Sequence, residues 1–229
     1  MSVLNAARLL ELAPVIPVVV IEDADRAVAL ARALVAGGLP VIEVTLRTPA
    51  ALRAISAIAD QVPDAVIGAG TVNNPALVRR AAEAGAQFLI SPGSTDALLD
   101  AMDASGLPYL PGAATASEVM RLIERGHPQM KFFPAEASGG HAVLRSLASP
   151  LPEARFCPTG GITLASAPIY LALPNVGCIG GTWITPLEAI ELGDWMRIEG
   201  LARQVLKIEP KTTRRAPPKH QDLDDGVPL

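Results

Sequence analysis

One lysine in the body of the chain lies in an unusual setting. Lys131 stands in the otherwise apolar stretch QMKFFP, whereas Lys207, Lys211 and Lys219 lie near the C-terminus. A neutral buried amine can attack a carbonyl carbon and form a Schiff base, whose iminium withdraws electrons from a neighbouring bond. An ordinary lysine, with a pKa of about 10.4, is neutral in only about 0.04% of molecules at pH 7, so this chemistry requires surroundings that favour the uncharged amine.

A carboxylate is expected to face the same interior as this lysine. In the stretch PVIEVTL, Glu43 alternates with Ile42 and Val44, and alternation along a strand places it on the opposite face. The same alternation directs Lys131 and Phe133 inward in the later segment. A structural ion pair is the alternative interpretation, but a buried ion pair is costly and often no better than apolar packing. We therefore expect Lys131 to act as the nucleophile and Glu43 to move protons through water.

Two glycine pairs form a second candidate site. The stretches TGG, at residues 159–161, and GGT, at residues 180–182, close two consecutive late apolar segments. Glycine lets the backbone approach an anion closely, and backbone N–H groups in such turns bind phosphate. Tight turns between strands and helices also need glycine, which is the structural alternative. Two pairs at consecutive segments favour a phosphate site.

The elements that would position these residues follow a regular order. Apolar, β-branched segments alternate with Ala- and Leu-rich segments of helical period, and they cover residues 14–21, 40–46, 65–70, 87–92, 107–112, 129–134, 155–161 and 176–181. Buried strands that alternate with helices predict βαβ units and a parallel sheet. Eight such units after a short N-terminal helix predict an α/β fold, a closed (β/α)8 TIM barrel, with an open doubly wound sheet as the alternative.

The composition excludes several classes of protein. Hydrophobic residues make up 50% of the chain, which predicts a globular core, and no apolar run approaches the roughly 18 residues that a membrane span requires. The net charge of −4 argues against nucleic acid as a partner. The N-terminus lacks the pattern of a secretory signal, so we expect a cytoplasmic protein. Residues 1–209 are predicted to form one barrel domain, and the Pro-rich, charged residues 210–229 a disordered tail.

A few chemically active residue types are expected to be structural. Cys157 and Cys178 lie in apolar segments and are predicted to be core thiols of a reducing compartment. His127 and His141 are expected to face solvent, since their spacing from cysteines and carboxylates does not indicate a metal site. Met196, at the start of the last predicted helix, is expected in the core.

Six motifs together resemble one enzyme family. In chain order they are EVTLRT, GAGT, ISPG, KFFPAE, FCPTGGI and CIGGTW, and the resemblance runs over residues 14–202. The sequence resembles the bacterial 2-keto-3-deoxy-6-phosphogluconate (KDPG) / 4-hydroxy-2-oxoglutarate (KHG) aldolases. The resemblance implies a class I, metal-independent lyase without a cofactor, which cleaves KDPG to pyruvate and glyceraldehyde 3-phosphate in the Entner–Doudoroff pathway. It also adds KHG, cleaved to pyruvate and glyoxylate, as an expected substrate.

The resemblance assigns roles to individual positions. Lys131 matches the Schiff-base lysine and Glu43 the general acid/base. Residues that match the pocket for the pyruvate part are Arg47, Thr71, Pro92, Phe133 and Thr159. Residues that match the phosphate site are Gly160, Gly161, Gly180, Gly181 and Thr182. The family typically assembles as homotrimers, which the resemblance therefore implies here.

The sequence departs from the family pattern at two places within the barrel. Thr182 stands where the family often has serine, which retains the hydroxyl, and the stretch VVVIEDAD offers no basic side chain near the end of the first strand. Two alternative functions have different residue requirements. A phosphosugar isomerase or epimerase would need carboxylate or histidine pairs at strand ends and has no use for Lys131. A catalytically silent phosphometabolite-binding protein would be indicated by replacement of Lys131 or Glu43, and both are present.

Overall fold

The computed structural model describes residues 4–209. The tail predicted at residues 210–229 lies outside the described residues. The first element is the short helix α1 (Ala6–Leu9), which begins after Asn5, whose side chain accepts a hydrogen bond from the Arg8 N–H at 2.8 Å. The short N-terminal helix predicted from the sequence is thus present.

Parallel strands and helices then alternate along the chain. The strands are β1 (Val15–Val19), β2 (Val41–Thr45), β3 (Val66–Gly70), β4 (Phe88–Ile90), β5 (Tyr109–Leu110), β6 (Gly112–Ala113), β7 (Gln129–Phe132), β8 (Arg155–Pro158) and β9 (Ile179–Gly181). The longer helices are α2 (Ala27–Ala36), which follows a 3-10 turn (Ala24–Arg26), α3 (Ala51–Gln61), α4 (Pro75–Glu83), α5 (Asp96–Ser105), α6 (Ala116–Glu124), α7 (Gly140–Leu147) and α10 (Trp195–Val205). Two shorter helices are α8 (Ala167–Leu171) and α9 (Leu187–Leu192).

All strand pairs are parallel, as the alternation of strands and helices predicts. One sheet has the order β5-β4-β3-β2-β1-β9, and the second has the order β6-β7-β8. At the border between the ends of these sheets, Thr159 and Gly180 form an isolated parallel bridge. The architecture is an α/β fold of curled parallel sheets.

The segment predicted as one strand over residues 107–112 is two short strands. Leu110 on β5 pairs with Ile90 on β4, and Gly112 on β6 pairs with Lys131 on β7. Between them lies Pro111, which has no N–H to donate to a strand ladder. Its carbonyl still accepts a hydrogen bond from the Lys131 N–H at 2.9 Å. Pro111 therefore marks the point at which the chain passes from one sheet to the other.

The helices pack one apolar face on the sheets. The helix α6 begins with a capping box, in which Thr115 and Glu118 bond each other's backbone N–H groups at 3.3 and 2.9 Å. On α10 the buried residues Ile198, Ala202 and Val205 recur at helical spacing. Met196 lies off this stripe and is 85% exposed. The expectation that Met196 belongs to the core is wrong.

Candidate active site

The two side chains predicted to do chemistry are in direct contact. Lys131 on β7 donates from Nζ to Oε1 of Glu43 on β2 at 3.1 Å, although 88 residues separate them along the chain. Lys131 is 3% exposed and Glu43 is 1% exposed. The ring of Phe133 lies beside the amine, with its centroid 5.3 Å from Nζ. A carboxylate that can accept a proton is therefore held against a buried amine.

A glycine makes room for the carboxylate. Gly70 ends β3 and pairs in register with Thr45 on β2. A Cβ at Gly70 would overlap the Glu43 side chain, since it would lie 2.6 Å from Cγ and 2.7 Å from Cδ. Glycine at position 70 is thus required by the close approach of Glu43 to the neighbouring strand.

Arg47 and Thr71 lie together where β2 and β3 end. Arg47 Nε donates to Thr71 Oγ1 at 3.3 Å, and the Arg47 side chain is exposed. Thr71 has φ +58°, which places a non-glycine residue in the left-handed region. Such a conformation costs energy and persists only where the surroundings enforce it. The pair presents a cation and a hydroxyl at the carboxyl ends of the strands.

A cavity of about 240 Å³ opens at the same end of the sheets. The sequence singled out all of its lining residues for substrate except Val18 and Ile162; the lining residues are Val18, Arg47, Phe133, Thr159, Gly160, Gly161, Ile162, Gly180 and Thr182. Among these described residues Arg47 alone carries a titratable side chain. Glu43 adjoins the cavity, because it pairs in register with the lining residue Val18. Five predicted site residues do not line this cavity: Glu43, Lys131, Thr71, Pro92 and Gly181. Gly181 instead packs against the Trp183 ring.

The glycine turns have conformations that need glycine. Gly160 and Gly161 have φ of +107° and +79°. A Cβ at Gly160 would lie 3.3 Å from the Ala135 nitrogen, and one at Gly180 would overlap the Thr159 hydroxyl. The turns therefore expose backbone along one wall of the cavity, which is the arrangement that anion-binding turns use.

Sequence reasoning missed two lining residues, Val18 and Ile162. Alternation in β1 puts Val18 on the inner face, but the register that sets it at the level of Glu43 is given only by the structure. Ile162 follows the TGG motif and has no signal of its own. Both are apolar, so part of the cavity wall is hydrophobic.

The two cysteines lie in the interior close to the catalytic pair. Cys157 on β8 pairs in register with Lys131, and Cys157 and Cys178 are 1% and 0% exposed. A hydrogen bond to Cys157, burial and the charge of Glu43 raise the pKa of Cys178 well above its usual value. The expectation of core thiols is confirmed for both residues.

The histidines are not the solvent-facing residues that the sequence predicted. The His127 side chain is only 20% exposed, lies 2.6 Å from the Tyr109 hydroxyl and 3.3 Å from the Asp103 carboxylate, and packs beside the Tyr109 ring. His141 is half-buried, with its ring centroid 6.0 Å from that of Tyr170. Within residues 4–209, no group of three or more His, Cys, Asp or Glu side chains is arranged to hold a metal ion, and no helix is long and apolar enough to cross a membrane.

A larger cavity, of about 610 Å³, lies at the opposite end of the strands. Its lining includes residues from α1 and from the first positions of two strands, Gln129 of β7 and Arg155 of β8. In folds of parallel strands and helices the amino ends of the strands serve stability, and function gathers at the carboxyl ends. The smaller cavity beside Glu43 and Lys131 is therefore the candidate active site.

Comparison with known proteins points to one family. Residues 6–201 match the family model described as KDPG and KHG aldolase. A 2-dehydro-3-deoxy-phosphogluconate aldolase of Pseudoalteromonas atlantica is 53% identical over 193 residues, covering 84% of this chain and 90% of that protein. The KHG/KDPG aldolase of Escherichia coli K12 is 50% identical, covering 89% of this chain and 95% of that protein. A crystal structure of the KDPG aldolase of Legionella pneumophila, with pyruvate captured as a covalent carbinolamine intermediate, superposes with a TM-score of 0.87 at 45% identity and covers 89% and 98% of the two chains.

Proposed function

The chain belongs to the family of KDPG and KHG aldolases, and from this premise we propose that Lys131 forms the covalent bond to substrate and Glu43 moves the protons. The protein is a class I aldolase, a lyase that cleaves KDPG to pyruvate and glyceraldehyde 3-phosphate, the KDPG aldolase step of the Entner–Doudoroff pathway. KHG, cleaved to pyruvate and glyoxylate, is its second substrate. The observation that carries the assignment of residues is the buried contact of 3.1 Å between Lys131 Nζ and Glu43 Oε1.

The chemistry proceeds by steps that this pair can perform. Glu43 accepts a proton from Lys131, and the neutral amine adds to the carbonyl carbon of the substrate to give a carbinolamine. Loss of water leaves an iminium, which draws in the electrons of the carbon–carbon bond one position away. That bond breaks when a base takes the proton of the substrate's 4-hydroxyl group: the hydroxyl carbon leaves as the aldehyde, and the bond electrons form an enamine on Lys131. We assign this proton transfer to Glu43 acting through a water molecule. Protonation of the enamine and hydrolysis then release pyruvate and the free amine.

We assign the other predicted substrate residues to the two ends of the substrate. Arg47 and Thr71 offer a cation and a hydroxyl to the carboxylate of the pyruvate part, while Pro92, Phe133 and Thr159 enclose it. The backbone at Gly160, Gly161, Gly180 and Gly181, with the Thr182 hydroxyl, receives the phosphate at the other end. Arg47 and the glycine turns line the same cavity of about 240 Å³, which supports their binding the two ends of one substrate molecule. No cofactor takes part, because the imine on Lys131 serves as the electron sink.

Borohydride trapping with pyruvate tests the central assignment. Reduction of the imine is expected to leave a pyruvyl adduct on one lysine, and peptide mass spectrometry should locate it at Lys131. Lys131→Ala should lose both the adduct and the aldolase activity. Lys207→Ala, which alters a described lysine far along the chain from the site, is the matched control and should retain both.

Two outcomes would contradict the proposal. An adduct on another residue of folded, active protein would assign the nucleophile elsewhere. Near-normal turnover by Lys131→Ala would rule out the imine mechanism for this chain and would return the phosphate-binding barrel without Schiff-base chemistry to consideration.

We also propose that the strands close into one eight-stranded (β/α)8 barrel spanning residues 1–209 as a single domain. The passage of the chain from β5 to β6 at Pro111 supports closure on one side, and the bridge between Thr159 and Gly180 supports it on the other. By resemblance to the family we propose a homotrimer, which sedimentation analysis of the purified chain would test. A cytoplasmic location follows from substrates that are phosphorylated intermediates of central metabolism.

A further inference from the structure

Glu136 and Tyr170 form a polar pair that the proposed reaction does not use. Tyr170 on α8 is fully buried, and its hydroxyl donates to Glu136 Oε1 at 2.7 Å. Burial, and then the hydrogen bond to Glu136, raise the pKa of Tyr170 far above its usual value, so the hydroxyl remains a donor. Because a buried tyrosine hydroxyl needs a partner, this bond fixes where the Glu136 side chain lies.

The Glu136 side chain lies against the turn that follows β8. A Cβ on Gly161 would be only 2.7 Å from Glu136 Cγ and 2.8 Å from its Cβ. The backbones are bonded as well, since the Glu136 N–H donates to the Gly160 carbonyl at 3.0 Å and the Ala135 N–H donates to the Thr159 carbonyl at 2.8 Å. The segment that follows β7, the strand that carries Lys131, is therefore attached to the glycine turn.

The turn needs such support because of its composition. Gly160 and Gly161 both have positive φ, and glycine also populates negative φ readily, so the turn has alternative conformations of similar energy. In those conformations the backbone N–H groups would point elsewhere. The Glu136 side chain occupies the space beside Gly161 and so limits the turn to the conformation observed.

We propose that the Glu136–Tyr170 pair is a positioning device that holds the Gly160–Gly161 turn ready for the phosphate and thereby sets the affinity for phosphorylated substrates. This inference rests on the phosphate role proposed above for the same turn. Neither residue lines the described cavity, so both act through the turn. The simpler alternative is that Glu136 only satisfies the buried Tyr170 hydroxyl, in which case its loss lowers stability and leaves phosphate binding unchanged.

Tyr170→Phe separates these alternatives, because it removes the hydroxyl and retains the ring. The loss of one hydrogen bond to a charged group predicts a rise of about 10-fold in KM for KDPG and in the inhibition constant of inorganic phosphate. The rate of borohydride trapping with pyruvate, which has no phosphate, should stay within about 2-fold of wild type, since a difference of that size corresponds to less than 1 kcal/mol. The matched control is Tyr109→Phe, which removes the hydroxyl of the second tyrosine, bonded to Asp103 at 2.6 Å and distant from the glycine turns.

A second set of variants keeps the test valid if Tyr170→Phe folds poorly. Glu136 is exposed, so replacing it leaves no cavity in the core. Glu136→Gln retains an oxygen that can accept from Tyr170 and should bind phosphate like wild type, whereas Glu136→Ala should reproduce the loss. An equal change in the pyruvate trapping rate, the same change in Tyr109→Phe, or unaltered phosphate inhibition in both Tyr170→Phe and Glu136→Ala would overturn the proposal.

Phosphate inhibition of the wild-type protein separates the phosphate role of the glycine turn from the positioning role of the Glu136–Tyr170 pair. If inorganic phosphate does not compete with KDPG in the wild type, the phosphate role of the glycine turn is wrong and the positioning role falls with it. If phosphate competes in the wild type with a constant that Tyr170→Phe and Glu136→Ala leave unchanged, only the positioning role is wrong.

Discussion

Gly70 leaves the space that the Glu43 side chain occupies. Because a Cβ at Gly70 would overlap its carboxylate, Gly70→Ala should push Glu43 away from Lys131. A displacement of about 1 Å in a catalytic group can lower the rate about 100-fold, so we expect a fall in kcat of that order. Steady-state kinetics would measure it, together with circular dichroism to show that the variant folds. A folded Gly70→Ala protein with wild-type kcat would show that Glu43 tolerates displacement.

Glu43→Gln isolates the proton transfers from the shape of the site. The amide has nearly the same size as the carboxylate and cannot accept a proton, so turnover should fall by about 10²- to 10⁴-fold. Imine formation at Lys131 depends less on Glu43 than carbon–carbon bond cleavage does, so borohydride with pyruvate should still trap the adduct. Turnover would be measured from the rate of pyruvate release, and the trapped adduct would be measured by intact-mass spectrometry. Loss of the adduct from the folded variant would mean that Glu43 is required for imine formation itself.

The charged pair of the site was predictable from the sequence, whereas two apolar residues of the cavity wall were not. Lys131 and Glu43 stood out because alternation put charged groups on an interior face, and the structure places them in contact. Val18 and Ile162 escaped notice because an apolar residue that faces a cavity has the same sequence pattern as one that faces the core. The type of a side chain shows whether its burial is costly, but it does not show whether a buried apolar residue faces the core or the cavity.

At the scale of elements, α10 offers a direct test of local stability. Gly200 lies in the interior of this helix, is exposed, and has no neighbouring atom within 4 Å of where a Cβ would be. Since glycine in a helix interior costs about 0.5–1 kcal/mol relative to alanine, Gly200→Ala should raise the free energy of unfolding by that amount and leave activity unchanged. Urea titration would measure the change. A lowered midpoint would indicate that another surface covers this face of α10.

Element types were predicted better than their boundaries. The strand order along the chain followed from the apolar segments, but each strand is shorter than its segment. Pro14 and Leu46 lie just outside β1 and β2, although the Pro14 carbonyl accepts from the Ile179 N–H at 3.0 Å and the Leu46 N–H donates to the Gly70 carbonyl at 2.9 Å. The break at Pro111 was foreseeable from its missing N–H. Met196 was misplaced because a helix starting after Asp194 presents it to a different side from Ile198, and two residues give too little periodicity to decide.

At the scale of the whole molecule, a network at the far end of the strands links stability to pH. Asp103 on α5, Tyr109 on β5 and His127 before β7 bond one another, with Arg125 nearby. Burial lowers the pKa of His127, which the charge of Asp103 only partly opposes. The unfolded chain, with a histidine pKa near 6.5, therefore takes up this proton first as the pH falls.

His127 therefore makes the protein less stable at acidic than at neutral pH. The contribution of His127 to stability is complete above about pH 6.5 and decreases as the pH falls from there toward the lower pKa of the folded state. Tm should accordingly fall between about pH 7.5 and 5.5, and His127→Gln should show a shallower slope over the same range. Differential scanning calorimetry at several pH values would measure both slopes. Equal slopes in the two proteins would assign the pH dependence to other groups.

The separation of 88 positions between Glu43 and Lys131 also bears on how the protein folds. Contacts between distant parts of a chain form late in folding, because closing a long loop costs entropy before the contact repays it. A nascent chain therefore carries Lys131 as an ordinary charged amine in water, which reacts poorly with keto acids. The amine gains its partner only when β7 docks beside the strands already assembled. Regain of activity during refolding should thus coincide with the last long-range step, and an unfinished chain does not capture the metabolites around it.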